Sequence, residues 1–161
     1  MGIALSTAGV EVGYALGTLA SRPTTGYKEI PDIKSTPDFN VDPNGIDVTN
    51  LKEKVAKQYV EGLRDYGSTV QFGANLTKSV IKVWEQDICD VALASNSETP
   101  VCWIQIAHPS LDKGVFIPTQ PVRMGLPSME VDSALETTLY AMPLAGADWQ
   151  DKVDIADDTT E

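Results

Sequence analysis

The chain has 161 residues, 42% of them apolar, which is enough for one compact domain with a core and short for two. Its 23 acidic against 12 basic residues leave a net charge of −11, which argues against a module that grips nucleic acid, because such binding relies on Lys and Arg displacing counterions from phosphates. Two cysteines, Cys89 and Cys102, are too few for a disulfide scaffold or a zinc site, show no CxxC spacing, and read as reduced core residues.

At the N-terminus, Met1-Gly2-Ile3-Ala4-Leu5-Ser6 matches the myristoylation pattern, but stable anchoring needs a second lipid or a basic patch, and this chain is acidic. No Lys or Arg precedes Arg22, so the charged region of a signal peptide is missing, and no window approaches the ~20 apolar residues of a membrane span. The expectation is a soluble chain made in a cytoplasm. Gly9, Gly13 and Gly17 repeat in the manner of packed membrane helices, yet Glu11 interrupts them, and Val10, Val12, Tyr14 and Leu16 alternate with small or polar residues. A strand is the better reading. A turn-rich link, Ser21 to Gly26, then leads to a second extended segment through Tyr27 and Glu29.

From Pro31 to Leu51 the chain cannot be helical. Ile30-Pro31, Pro37 and the Pro43-Asn44-Gly45 turn remove donors, bias their predecessors to extended geometry and favour turns. A polar loop of this length in a small domain is functional or disordered, and Ile33, Phe39, Val41, Ile46 and Val48 give it apolar anchors for docking on a partner. After a further segment around Val55 to Leu63, assigned to the β-domain, Val70, Phe72 and Ala74 alternate with Gln71, Gly73 and Asn75, which predicts a strand with one buried face.

Four stretches in this order, Ile30-Pro31-Asp32-Ile33, Ile46-Asp47-Val48-Thr49-Asn50-Leu51, Tyr59-Val60-x-Gly62-Leu63-x-Asp65 and the strand ending in Asn75, resemble the major tail tube proteins of long-tailed bacteriophages. The resemblance covers about a third of the chain; elsewhere only the element order agrees, a helix followed by several strands. It implies a mainly β fold with one helix, subunits that form hexameric rings stacked into a tube, and a lumen through which DNA passes during ejection. It also implies a place in the virion tail and tail tip or baseplate, tape measure and terminator proteins as partners. An acidic lumen suits a conduit, since a wall that attracted DNA would hold it and one that repels phosphates lets it slide.

The period changes from about Thr77 to Ala94, where Val80, Trp84, Ile88 and Val91 or Ala92 recur at helical spacing between Lys78, Lys82, Glu85 and Asp87. This predicts one amphipathic helix of about five turns, capped by Asn75 or Thr77, stopped by Ser95-Asn96-Ser97 and Pro100, with Trp84 in the core. Val101–Ala107 and a strand from Gly114 form a hairpin around His108-Pro109-Ser110, while Pro118, Pro121 and Pro127 confine the next segment to an edge, a bulge or a turn. A last strand is expected from about Met129 to Met142, with Val131, Leu135 and Leu139 on a core face and Glu130, Asp132, Glu136, Thr138 and Tyr140 on a polar one.

Glu130, Asp132, Glu136 and Thr138 are the candidates for lining a lumen; periodicity alone fits equally the solvent face of an ordinary sandwich. The Pro31–Leu51 arm is the candidate for ring stacking, since a head-to-tail contact repeats into a filament. Residues 148–161 hold six acidic residues and one Lys and are expected to be an acidic tail beyond a single domain of 1–147, mobile or ordered in an assembly, with Trp149, Val153 and Ile155 able to anchor it on a neighbour. The expected architecture is a β-sandwich or partly closed barrel with one flanking helix and a long arm.

For catalysis there is little. His108 is the single His and sits against Pro109 at a strand end, Ser110 and Asp112 are near only in sequence, and Asp87 and Asp90 read as solvated helix charge. GxSxG, P-loop, dinucleotide, HExxH and EF-hand motifs are missing, so no catalytic residue, cofactor or metal is expected. Within the same class, a tail terminator or the tube of a contractile system shares the expected fold. From a different class, a β-sandwich binding carbohydrate or another ligand through Trp103, Tyr66 or Trp149 is the alternative.

Overall fold

Val70–Asn75 places Val70, Phe72 and Ala74 in the core and turns Gln71, Gly73 and Asn75 away, so its alternation becomes a two-faced strand. The same alternation recurs in Glu136–Pro143. The computed structural model describes residues 5–6, 8–52 and 55–156. The Met1-Gly2 pattern and the acidic residues Asp157, Asp158 and Glu161 lie outside them.

The protein is mainly β with one helix, and its principal sheet curls into half a barrel. In chain order the strands are β1 (Glu11–Gly17), β2 (Tyr27–Glu29), β3 (Ile33–Ser35), β4 (Gly45–Asp47), β5 (Tyr59–Glu61) and β6 (Val70–Asn75). After the helix come β7 (Val101–Ala107), β8 (Lys113–Pro121), β9 (Glu136–Pro143), β10 (Asp148–Asp151) and β11 (Ile155–Ala156). Neighbours in the sheet run β11-β2-β1-β7-β8-β9-β6-β3, with β10 against β8, and β4 and β5 form a separate ribbon. The β11–β2 pair is parallel; the other pairings are antiparallel.

The helix, α1, is continuous over residues 78–92, with Lys78–Ile81 and Asp90–Ala92 α-helical and Lys82–Cys89 in wider π turns. Of the two expected caps, Thr77 acts: its Oγ1 accepts from the amide of Val80 at 3.3 Å. The buried stripe is Val80, Val83, Trp84, Ile88, Cys89 and Ala92, whereas Val91 is exposed. Its repeat of four is slightly longer than an α-helical turn, and the i→i+5 turns take up the excess. Trp84 is fully buried and its Nε1 donates to the carbonyl of Val122 at 2.9 Å, as expected of a core residue.

One face of the sheet packs on this helix through Val12, Tyr14, Phe72, Ile104, Ile117 and Leu139. Each such large side chain contributes about 1.5–3 kcal/mol by leaving water. On the other face Ala15, Tyr27 and Phe116 form a second cluster, capped by Val153 and Ile155 from the C-terminal segment.

Three expectations change. Residues 148–156 are not a tail outside the domain: β10 pairs with β8, β11 with β2, and Val153 and Ile155 anchor on their own chain. β8 runs straight through Pro118 and ends on Pro121, both buried. Pro118 is tolerated because β10 reaches β8 only as far as Phe116 and β9 begins at Thr119, so it sits at the junction of two partners, where its carbonyl still accepts from Leu144 at 3.0 Å. The final long strand starts at Glu136, not Met129; Glu130, Asp132 and Val131 occupy an exposed loop, with Asp132 at φ 60°.

Candidate functional site

Two surfaces stand apart from the core. The first is the ribbon β4–β5, in which Ile46 pairs with Val60 and Asp47 with Tyr59. The pairing extends at both ends, Val48 donating to Gln58 at 2.9 Å and Asn44 to Leu63 at 3.2 Å. At the base the two legs cross so closely that a Cβ on Gly62 would lie 2.5 Å from the Asn44 carbonyl, which admits only glycine there. Ile46, Val48, Leu51, Val55, Tyr59, Val60 and Leu63 are all exposed, from 47% for Val48 to fully for Leu51. Isolated exposed apolar residues are ordinary; seven on one separate ribbon make it a candidate interaction surface.

The proposed arm of 31–51 divides accordingly. Ile33 belongs to β3 and packs on the core, Phe39 packs edge-on against Tyr66 with ring centroids 5.4 Å apart, and Val41 is half-buried. Ile46 and Val48 project with the ribbon. The return leg, assigned from sequence to the β-domain, is the other half of that ribbon. Tyr-Val-Glu is too short a run to show which partner it takes; the signal available was the cluster of apolar residues on both sides of the lysine-rich turn.

The second surface is the face of β9 turned away from the helix. Glu136, Thr138 and Tyr140 lie on it, opposite Asn75, Gly73 and Gln71 of β6, while Thr137, Leu139 and Ala141 point to the core. Alternation therefore assigned Glu136 and Thr138 to the polar side, and both line a groove of roughly 660 Å³ bordered by Lys34, Ser35 and the loop Gly125–Pro127. Lys34 forms an ion pair with Glu136. Glu130 is not brought to this groove: it lines a separate hollow with Met129, Ser133 and Leu135. Apolar residues of the same loop, Leu126, Met129 and Val131, are exposed and were not foreseen as surface.

His108, Asp90, Trp103 and Tyr66 have internal partners. The ring nitrogens of His108 meet the Ser6 carbonyl and the Ser110 amide. Asp90 joins Glu85 around Arg123, whose guanidinium donates to them at 2.8 and 3.2 Å, and the Asp90 hydrogen bond first of all raises the Arg123 pKa. Trp103 donates to the Thr18 carbonyl at 3.0 Å, and the Tyr66 hydroxyl accepts from Ala147 at 3.4 Å. Of the three aromatics considered for ligand stacking, Trp149 is the exposed one. Among the described residues no group of three or more His, Cys, Asp or Glu is placed to hold a metal, and no helix is long and apolar enough to cross a membrane.

No protein-family model and no curated protein sequence matches the chain.

Proposed function

We propose that the chain is a structural subunit that assembles into hexameric rings stacked as a tail tube of the long-tailed bacteriophage type. The observation that carries this reading is the β4–β5 ribbon, which displays seven large apolar side chains outside the core and contributes none of them to it. A ribbon of that kind is stabilised by a partner, and a partner reached head to tail repeats into a filament. The polar face bearing Glu136 and Thr138, backed by a sheet packed under a helix, suits the wall of a conduit. Its work is mechanical and electrostatic: it encloses DNA without holding it, in the virion tail, between tail tip and terminator.

The test is negative-stain microscopy of the full chain across concentration, beside a variant in which Asn44 is joined directly to Gly62 by excising the ribbon. Six-fold rings and tubes from the full chain, reduced to single rings or monomers by the excision, are expected. Monomers from both, even when seeded with tail-tip complexes, would overturn the reading.

A further inference from the structure

Gln105 lies in mid-sheet with a fully buried side chain, where an unpaired amide would be costly. Its partners are the main chain of Val153 alone: Nε2 donates to the Val153 carbonyl and Oε1 accepts from the Val153 amide, each at 2.9 Å. A buried side chain thus reads an extended backbone from a segment 48 residues away. Beside it Ile155 fills a notch that exists because residue 13 is glycine; a Cβ there would lie 2.9–3.0 Å from three Ile155 carbons. Val153 and Ile155 then close the cluster of Ala15, Tyr27 and Phe116, and Ile155 and Ala156 lie parallel along β2.

Every one of these contacts is made by atoms of the segment itself, so none depends on which chain the segment comes from. The connection to the rest of the molecule is one short link, held by the Leu144 amide on the Pro118 carbonyl at 3.0 Å, the Ala147 amide on the Tyr66 hydroxyl at 3.4 Å and the Ala147 side chain against the core. The link 144–147 is exposed except for half-buried Ala147, and a Cβ on Gly146 would meet open space. β10 exposes all four of its residues and, among the strands, pairs with β8. Opening the link leaves a slot shaped for Val-x-Ile, and the segment that fits it is the same one on a second copy. We propose that β10–β11 is an exchangeable strand unit, and that the slot around Gln105 accepts it from a second copy of this chain. Reciprocal exchange closes a two-fold dimer, whereas one-way donation runs head to tail. This inference stands apart from the tube reading, since exchange is read in soluble species and tubes by microscopy.

Lys113 and Lys152 supply the test, because Asp151 and Lys113 are paired on β10 and β8. Full-length protein grown in light and heavy nitrogen is mixed in equal parts, incubated across concentration, and treated with a short lysine-reactive cross-linker. Exchange produces Lys113–Lys152 peptides of mixed isotope, rising with concentration towards the statistical half. Gln105→Ala removes two hydrogen bonds from the closed and the exchanged forms alike, so it speeds equilibration by about 10-fold or more and leaves the final mixed fraction unchanged. Only same-isotope pairs at every concentration in both proteins, or loss of the link without mixed pairs, would overturn the proposal; the wild-type result decides if the variant does not fold.

Discussion

Burial pushes the Cys89 thiol up to about 12 from an ordinary 9.0, and it also raises that of Cys102. Neither side chain has solvent access, so below pH 9 both are neutral and inert towards thiol reagents. A maleimide added to native protein at pH 8 should label neither, and both should react once denaturant opens the core; rapid native labelling would contradict the packing of β7 under α1. The linkage has a definite sign. In the unfolded chain these thiols ionise near 9 while the folded chain keeps its protons, so the unfolded state binds fewer protons above that pH and stability falls as pH rises. Denaturant midpoints measured from pH 8 to 11 should decline, and Cys89→Ala should flatten part of that decline. At this scale the sequence was readable where a residue's neighbours are its own periodic pattern: Trp84 and both cysteines are core. Gln105 was not readable, because its partner is a main-chain unit distant in sequence and nothing in Ile104-Gln105-Ile106 names it.

Element by element, legibility followed how local the cause is. β1, β6, the hairpin β7–β8 and α1 announce themselves through period and caps, since those forces act within a few residues. Pairing partners are not local. The prolines of β8 confine it by sequence to an edge, a bulge or a turn, and Pro118 does sit at a local edge, but that edge lies inside the sheet, where β10 stops and β9 has not begun. β9 looked longer than it is, because Met129–Leu135 continues the alternation of Glu136–Pro143 by composition while no strand stands beside it to pair with. The ribbon is half legible for the same reason: the sequence places β4 in an arm and β5 in the domain, and only their mutual pairing unites them. A prediction follows from that union. All the large apolar side chains of residues 45–63 are exposed, so excising the ribbon between Asn44 and Gly62 should shift the unfolding free energy of the remaining domain by no more than about 0.5–1 kcal/mol. Chemical denaturation of the two chains checks it. A loss of several kcal/mol would mean that the ribbon supports the fold instead of presenting a surface, and the assembly reading would lose its footing.

For the whole molecule, charge and apolar exposure pull in opposite directions, and salt separates them. Each chain carries −11, so bringing many copies together, as the proposed assembly requires, is opposed by repulsion at low ionic strength. The attraction available to them is the ribbon with Ile46, Val48, Tyr59 and Val60, and the cross-chain burial of such residues is nearly indifferent to simple salt. Raising salt from ~0.01 M to ~0.15 M shortens the screening length from ~30 Å to ~8 Å and weakens the repulsion alone. Assembly, followed by light scattering or sedimentation velocity, should therefore move to lower protein concentration as sodium chloride is added. Ile46→Asp with Val60→Asp should remove the attraction while leaving the core untouched, and no salt concentration in that range should restore assembly. Were ion pairs between subunits the adhesive, salt would dissolve the complexes instead and the double substitution would matter little. The direction of the salt effect in the wild-type chain, read together with the double variant, therefore distinguishes a particle held by apolar ribbons against its own charge from one held by charge.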